Sequence, residues 1–159
     1  MSKTYPEWMG KMRGLTKEEL NKFLSEPRVA RLATLKDDNS PYIATVWFHY
    51  EDGNFFLGGR SKSAWVQYVK SHPRVALHIG KDESPFTRVL VEGKAQIVEG
   101  PSKISGRWLE VANRMATRYL GERGPDYLVP TLDRPRVWIK ITPEKLTSWE
   151  GVEWHRRYM

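Results

Sequence analysis

A chain of 159 residues, 40% of them hydrophobic and 12% aromatic, is long enough to bury one core and gives no reason to expect a second domain. It has no cysteine, which excludes disulfides and thiolate chemistry, and no apolar run approaches the length of a membrane span. The net charge of +7 invites an anionic partner, yet acidic residues are interspersed with basic ones from Lys17 to Glu153, which argues against an extended nucleic-acid surface and leaves a small anionic ligand an equally good partner.

The opening segment MSKTYPEWMGKMRG carries charge but no apolar secretory core, so a cytoplasmic protein with an extended arm over residues 1–14 is expected. Thr16 and Glu19 make a capping-box pattern ahead of Leu20, Phe23 and Leu24, predicting a short helix that Pro27 stops. Arg28–Lys36 reads as a strand, Asp37–Ser40 as a tight turn and Pro41–Tyr50 as a second strand, together a β-hairpin. A turn at Glu51–Asn54 leads into a brief strand, Phe55–Leu57, and a polar loop opens at Gly58. Ala64–Ser71 places Trp65, Tyr68 and Val69 at helical spacing, with Pro73 beyond the end. Val75–Gly80 and Thr87–Val98 read as further strands, the second long enough to bend around a barrel at Gly93.

Ile104, Trp108, Val111, Met115 and Tyr119 recur at helical spacing between Ser102 and Leu120, predicting the longest helix, with Gly121 as its C-cap. A short helical turn over Pro125–Leu132 precedes a last strand, Arg136–Thr142, in which Val137, Ile139 and Ile141 alternate with polar neighbours apart from Trp138. Residues 143–159, with Trp149 and Trp154, read as a tail. Six or more largely antiparallel strands, with one long helix near the C-terminal third, predict a mainly β fold: a β-barrel with flanking helices, forming a single domain over residues 1–159.

The stretch GGRSKSAWVQYVKSHPRV, Gly58–Val75, concentrates the chemistry. Two glycines allow close backbone approach, the following helix start offers free N–H groups, Arg60 and Lys62 add positive charge, and Ser61 and Ser63 add hydroxyl donors. This composition suits an anion cradle, and Trp47, Phe48 and Trp65 stand near enough in the chain to wall a flat ring. Such a ring-phosphate ligand would carry the chemistry while the protein supplies position and electrostatics. His49, His72, His78 and His155 show no metal-ligand spacing, so no metal site is expected. No nucleophile elbow, P-loop or dinucleotide fingerprint is present.

Four segments in this order resemble the pyridoxamine 5'-phosphate oxidase-like superfamily of flavin-binding split β-barrels: RVARLATLKDDNSPYIATVWF (Arg28–Phe48), FFLGGRSKSAWVQYVKSHPRVAL (Phe55–Leu77), SPFTRVLVEGKAQIVEG (Ser84–Gly100) and RVWIKITPEKLTSWEG (Arg136–Gly151). The resemblance implies a split β-barrel homodimer with cofactors at the subunit interface. It places Thr45, Val46 and Trp47 beside the cofactor ring, and Arg60, Lys62 and Ser63 at its phosphate. Arg88 falls where the family often has a polar cofactor contact. Trp65 stands where many members carry a phosphate-binding lysine. FMN is the cofactor the resemblance implies. The D-E-S-P-F-x-x-V-x-V-E-G segment and the R-Y-L-G helix end are similar to the branch that uses the deazaflavin coenzyme F420, whose acidic tail Arg118, Arg123, Arg134 and Arg136 would suit by charge. The implied activity is a flavin-dependent oxidoreductase that moves a hydride or electrons between FMN, or the deazaflavin, and a small organic substrate. The alternative is a carrier of flavin, deazaflavin or haem without turnover. No substrate-phosphate set of the true pyridoxamine phosphate oxidases is recognisable, so vitamin-B6 synthesis is not assigned.

Overall fold

The computed structural model describes residues 10–153, so Trp154, His155 and most of the expected arm lie outside the described residues. Eight antiparallel strands form one sheet: β1 (Met12–Gly14), β2 (Ala30–Leu35), β3 (Pro41–Val46), β4 (His49–Glu51), β5 (Asn54–Arg60), β6 (Arg74–Gly80), β7 (Arg88–Ser102) and β8 (Arg136–Gly151). Their spatial order is β3-β2-β6-β7-β8-β5-β4, with β1 added on β8. Among the described residues three α-helices flank it: α1 (Lys17–Ser25), α2 (Ala64–Ser71) and α3 (Gly106–Leu120). The architecture is the mainly β split barrel expected from the sequence.

Short-range chemistry sets the local turns. Thr16 and Glu19 close a reciprocal capping box at the start of α1. Asp52 and Gly53 both adopt positive φ in the two-residue turn between β4 and β5, as a tight hairpin with right-handed twist requires. The carboxylate of Asp38 accepts from the Ser40 N–H and hydroxyl, ordering the β2–β3 turn.

Strand alternation separates two cores. Phe55 and Leu57 on β5, and Val137, Ile139 and Ile141 on β8, point into the barrel with Leu32, Leu77, Val89 and Val91. Phe56 and Trp138 point the other way, toward Val111, Met115 and Ala116 of α3. Trp138, the apolar exception in the alternation of its strand, thus marks the face that α3 covers. At about 25 cal/mol per Å² such an aromatic burial contributes a few kcal/mol, enough to hold a helix against a sheet.

Several boundaries differ from the sequence expectation. The strand expected over Pro41–Tyr50 breaks at Trp47 and Phe48, because α3 takes up the backbone there: the Arg118 guanidinium donates to the Phe48 carbonyl and the Tyr119 hydroxyl accepts from the Phe48 N–H. Strand β5 does not stop at Leu57 but continues through Gly58 and Gly59 to Arg60, since these residues pair with Trp138, Val137 and Arg136 of β8. The last strand continues past Thr142 to Gly151. Pro143 is accommodated opposite Gly93, where the register shifts and a side chain at 93 would meet the Thr142 carbonyl at 2.4 Å. The expected bend at Gly93 is therefore present, and the segment 144–151, expected as tail, completes the sheet with β7 and β1.

Candidate functional site

A cleft of about 430 Å³ opens between the end of β3, the β5–α2 connection, α3 and the start of β8. Of the residues expected from the sequence, Thr45, Val46, Trp47, Arg60, Ser63 and Trp65 line it; Lys62 and Arg88 do not. Lys62 is exposed in the turn before α2. Arg88 opens β7 on the outer face of the sheet, where it pairs with Gly80 and its guanidinium lies over the Phe86 ring.

Trp47 owes its position to α3. Its ring stacks on Tyr119 at 4.8 Å with nearly parallel planes, and the Tyr119 hydroxyl donates to the Arg28 carbonyl at 2.6 Å. Burial pushes the Tyr119 phenol pKa up, partly offset by Arg118, so the group stays a neutral hydrogen-bonding tether. Tyr127 also packs near Trp47, its ring tilted and the centroids 5.8 Å apart.

Gly58 and Gly59 do more than permit a ligand's approach. A Cβ at Gly59 would lie 2.6 Å from the Trp65 ring and from Val66, and one at Gly58 would lie 3.1 Å from the Trp138 ring. The glycine pair is a seat for two indoles, one on each face of β5. Trp65 fills space on this side of the cleft and supplies surface there, not charge.

The charge comes instead from a cross-strand pair. Arg60 on β5 stands directly opposite Arg136 on β8. Among the described residues no carboxylate lies within ion-pair distance of either guanidinium, although other arginines in the fold find acidic partners. Like charges facing each other across strands are destabilising unless an anion neutralises them. Burial, reinforced by Arg60 and Arg134, lowers the pKa of Arg136, while Tyr127 and, more weakly, the Asp133 carboxylate oppose the shift. Beside this pair the Ser63 hydroxyl makes no capping bond, and the Ala64 and Trp65 N–H groups opening α2 have no acceptor among the described residues. The donor set therefore fits a phosphate, and the aromatic walls fit a flat ring.

By charge alone, Arg136 ranks in the sequence with Arg118, Arg123 and Arg134. The structure separates them. Arg118 is spent on the Phe48 and Leu24 carbonyls and the Tyr119 hydroxyl, Arg123 pairs with Asp126, and only Arg136 of the four lines the cleft. Tyr127, Leu128, Met115 and Trp138 also line it, although sequence reasoning does not mark them for the site. For Trp138 the broken alternation is the available signal; for Tyr127, exposed at the end of the short 3-10 turn Gly124–Tyr127, there is none.

The model of the pyridoxamine 5'-phosphate oxidase family matches residues 16–150. The chain belongs to that family. None of the curated proteins matches it. Among solved structures, a FAD-binding protein from Mesorhizobium loti shares 22% identity, covering 90% of this chain and 98% of that one with a TM-score of 0.61. An F420 reductase shares 23% identity over 79% and 94% of the two chains, at a TM-score of 0.64. The haem storage protein HutZ from Vibrio cholerae shares 21% identity over 87% and 98%, at 0.65. At these identities the likenesses show the fold. Among the described residues of this family member, no helix is long and apolar enough to cross a membrane.

Proposed function

We propose that this member of the pyridoxamine 5'-phosphate oxidase family is a flavin-dependent oxidoreductase whose cleft binds FMN. The Arg60–Arg136 pair beside an aromatic wall carries the reading, because two facing cations with no ion-paired carboxylate among the described residues call for a dianion next to a flat ring. Arg60 and Arg136 hold the phosphate charge, and Ser63 and the first N–H groups of α2 donate to its oxygens. Thr45, Val46 and Trp47 flank the ring, Trp65 and Trp138 exclude water around it, and Lys62 adds charge from the adjoining turn. When bound, a flavin supplies hydride or electron-pair transfer to a small organic substrate. The deazaflavin coenzyme presents the same ring-phosphate chemistry and is the alternative cofactor.

The functional unit we propose is a homodimer. The outer face of β3, β2, β6 and β7 carries Ile43, 66% exposed, in one register row with Ala33, Ala76 and Glu92, and Leu90 opposite His78 in the next row. Arg31, His78 and Arg88 border this patch, and Thr45 joins it to the cleft. A second copy seated there would place Arg88 at the subunit junction, in keeping with a cofactor-contact role for it.

A carrier without turnover is the second reading, favoured by Trp65 at the position where a phosphate-binding lysine is common. Haem is the less suited cargo, as no histidine among the described residues lines the cleft. The test is the absorption spectrum and released-ligand mass of the purified protein, followed by reconstitution with FMN or the deazaflavin. A colourless protein that takes up neither would sink the cofactor assignment. Oxidation of the reduced holoprotein by small acceptors separates enzyme from carrier.

A further inference from the structure

Between α3 and β8 the chain makes two short 3-10 turns, Gly124–Tyr127 and Val129–Thr131, and the residues at their junction, Tyr127 and Leu128, wall the cleft. The segment is pinned at both ends. Gly124 lies so close to α3 that a side chain there would meet the Ala116 carbonyl at 2.1 Å. At the other end the Arg136 guanidinium donates through Nη1 to the Thr131 carbonyl and through Nη2 to the Thr131 hydroxyl, both at 2.6 Å. The Thr131 hydroxyl and N–H donate in turn to the Leu128 carbonyl. A continuous hydrogen-bond path thus runs from Arg136 through Thr131 to the wall residue Leu128.

Arg136 keeps capacity beyond this task. A guanidinium carries five N–H donors; the bonds to Thr131, with a longer one to the Arg134 carbonyl, leave Nε–H and one Nη2 hydrogen without a protein acceptor among the described residues. The planar fork can therefore hold the wall and face an oxyanion together, which a lysine's single ammonium cannot do with fixed geometry.

We propose that Arg136 is a positioning residue that couples the two halves of the ligand site: it fixes the Tyr127–Leu128 wall against the ring while facing the oxyanion beside Arg60. The proposal rests on the ring-phosphate reading of the cleft. It makes the Arg136–Thr131 tie a determinant of selectivity for an oxyanion joined to a ring over a bare oxyanion. Weakening the tie releases the wall and leaves the local charge unchanged.

The experiment compares wild type, Thr131→Val, Arg136→Lys and the double variant, using FMN and inorganic phosphate as separate probes and hydrogen exchange of residues 124–131 as a third readout. Thr131→Val is expected to speed FMN dissociation about tenfold, to leave phosphate affinity within about twofold, and to raise exchange over 124–131. Arg136→Lys is expected to raise exchange over 124–131 in the same way but to weaken FMN and phosphate together, since it also alters the oxyanion contact, and the double variant to add little to the exchange, because both single changes weaken one path. In Thr131→Val, equal loss of FMN and phosphate affinity, or unchanged FMN dissociation with unchanged exchange, overturns the coupling. If wild type binds no FMN, the ring-phosphate reading fails on its own; the wall-positioning role then falls if Thr131→Val leaves exchange of 124–131 as in wild type.

Discussion

Arg60 and Arg136 face each other across two hydrogen-bonded antiparallel strands, and neither has a carboxylate partner among the described residues. A fold that only needed these positions for stability would gain by separating the charges. Replacing Arg60 with Ala is expected to weaken FMN affinity at least tenfold, the order of one charge-assisted hydrogen bond at about 1.5–3 kcal/mol, without lowering the thermal midpoint of the unliganded protein. Lys62→Ala, outside the cleft, is expected to cost less than threefold, as a screened charge does. Calorimetric titration with FMN checks both; an Arg60→Ala protein of unchanged affinity removes the cradle.

The indole seats make a second prediction. A methyl group at Gly59 must displace Trp65 and Val66, two side chains that already pack against the barrel core. Gly59→Ala is expected to destabilise by about 1–3 kcal/mol, the usual range for overpacking, and to reshape the cleft. Urea unfolding reads the first effect. A variant as stable as wild type would show that the Trp65 ring moves freely.

Tyr119→Phe keeps the ring under Trp47 and removes only the hydroxyl shared by Arg28, Phe48 and Arg118. The expected cost is about 1–2 kcal/mol, because the buried groups it served lose a partner. Trp47 should also become less ordered at the cleft. Its fluorescence anisotropy in a protein whose other tryptophans are replaced by phenylalanine tests that loss directly.

Stability should fall on the acid side of neutrality. Burial holds His49 and His78 below the ordinary imidazole pKa, with further lowering by Arg114 and Arg118 at His49 and by Arg31 and Arg88 at His78; Glu51 and Asp82 oppose it. The unfolded chain then binds more protons over the interval beneath about pH 6.5, so this contribution is complete above that value and is lost as pH falls through the depressed folded values. The urea midpoint should drop between about pH 7.5 and about pH 5, and His49→Gln should shrink the drop. An unchanged pH profile in the variant would acquit His49.

The outer-face patch gives the last prediction. Ile43→Lys puts a charge at the exposed apolar side chain of β3 on this face and should convert the proposed dimer to monomer, read by light scattering, with no change in far-UV circular dichroism. A wild-type protein that is already monomeric at working concentration counts against the dimer.

Features that depend on near neighbours in the chain are legible in the sequence. The Thr16–Glu19 capping box, the Asp52-Gly53 turn, the Gly93 bend, the periodicity of α2 and α3 and the inward alternation of Val137, Ile139 and Ile141 each rest on a few adjacent residues. So does the approximate place of the candidate cleft, through the aromatic hairpin end and the basic turn before α2. Register across the sheet is not legible, because it is set by partners distant in sequence: β8 draws Gly58 and Gly59 into a strand, β7 and β1 extend β8 to Gly151, and α3 breaks the hairpin at Trp47 and Phe48. The sequence by itself determined a barrel, its turns and a cationic aromatic neighbourhood. Only the tertiary structure decided which cations meet, since pairing Arg60 with Arg136 requires two strands far apart in the chain to lie edge to edge.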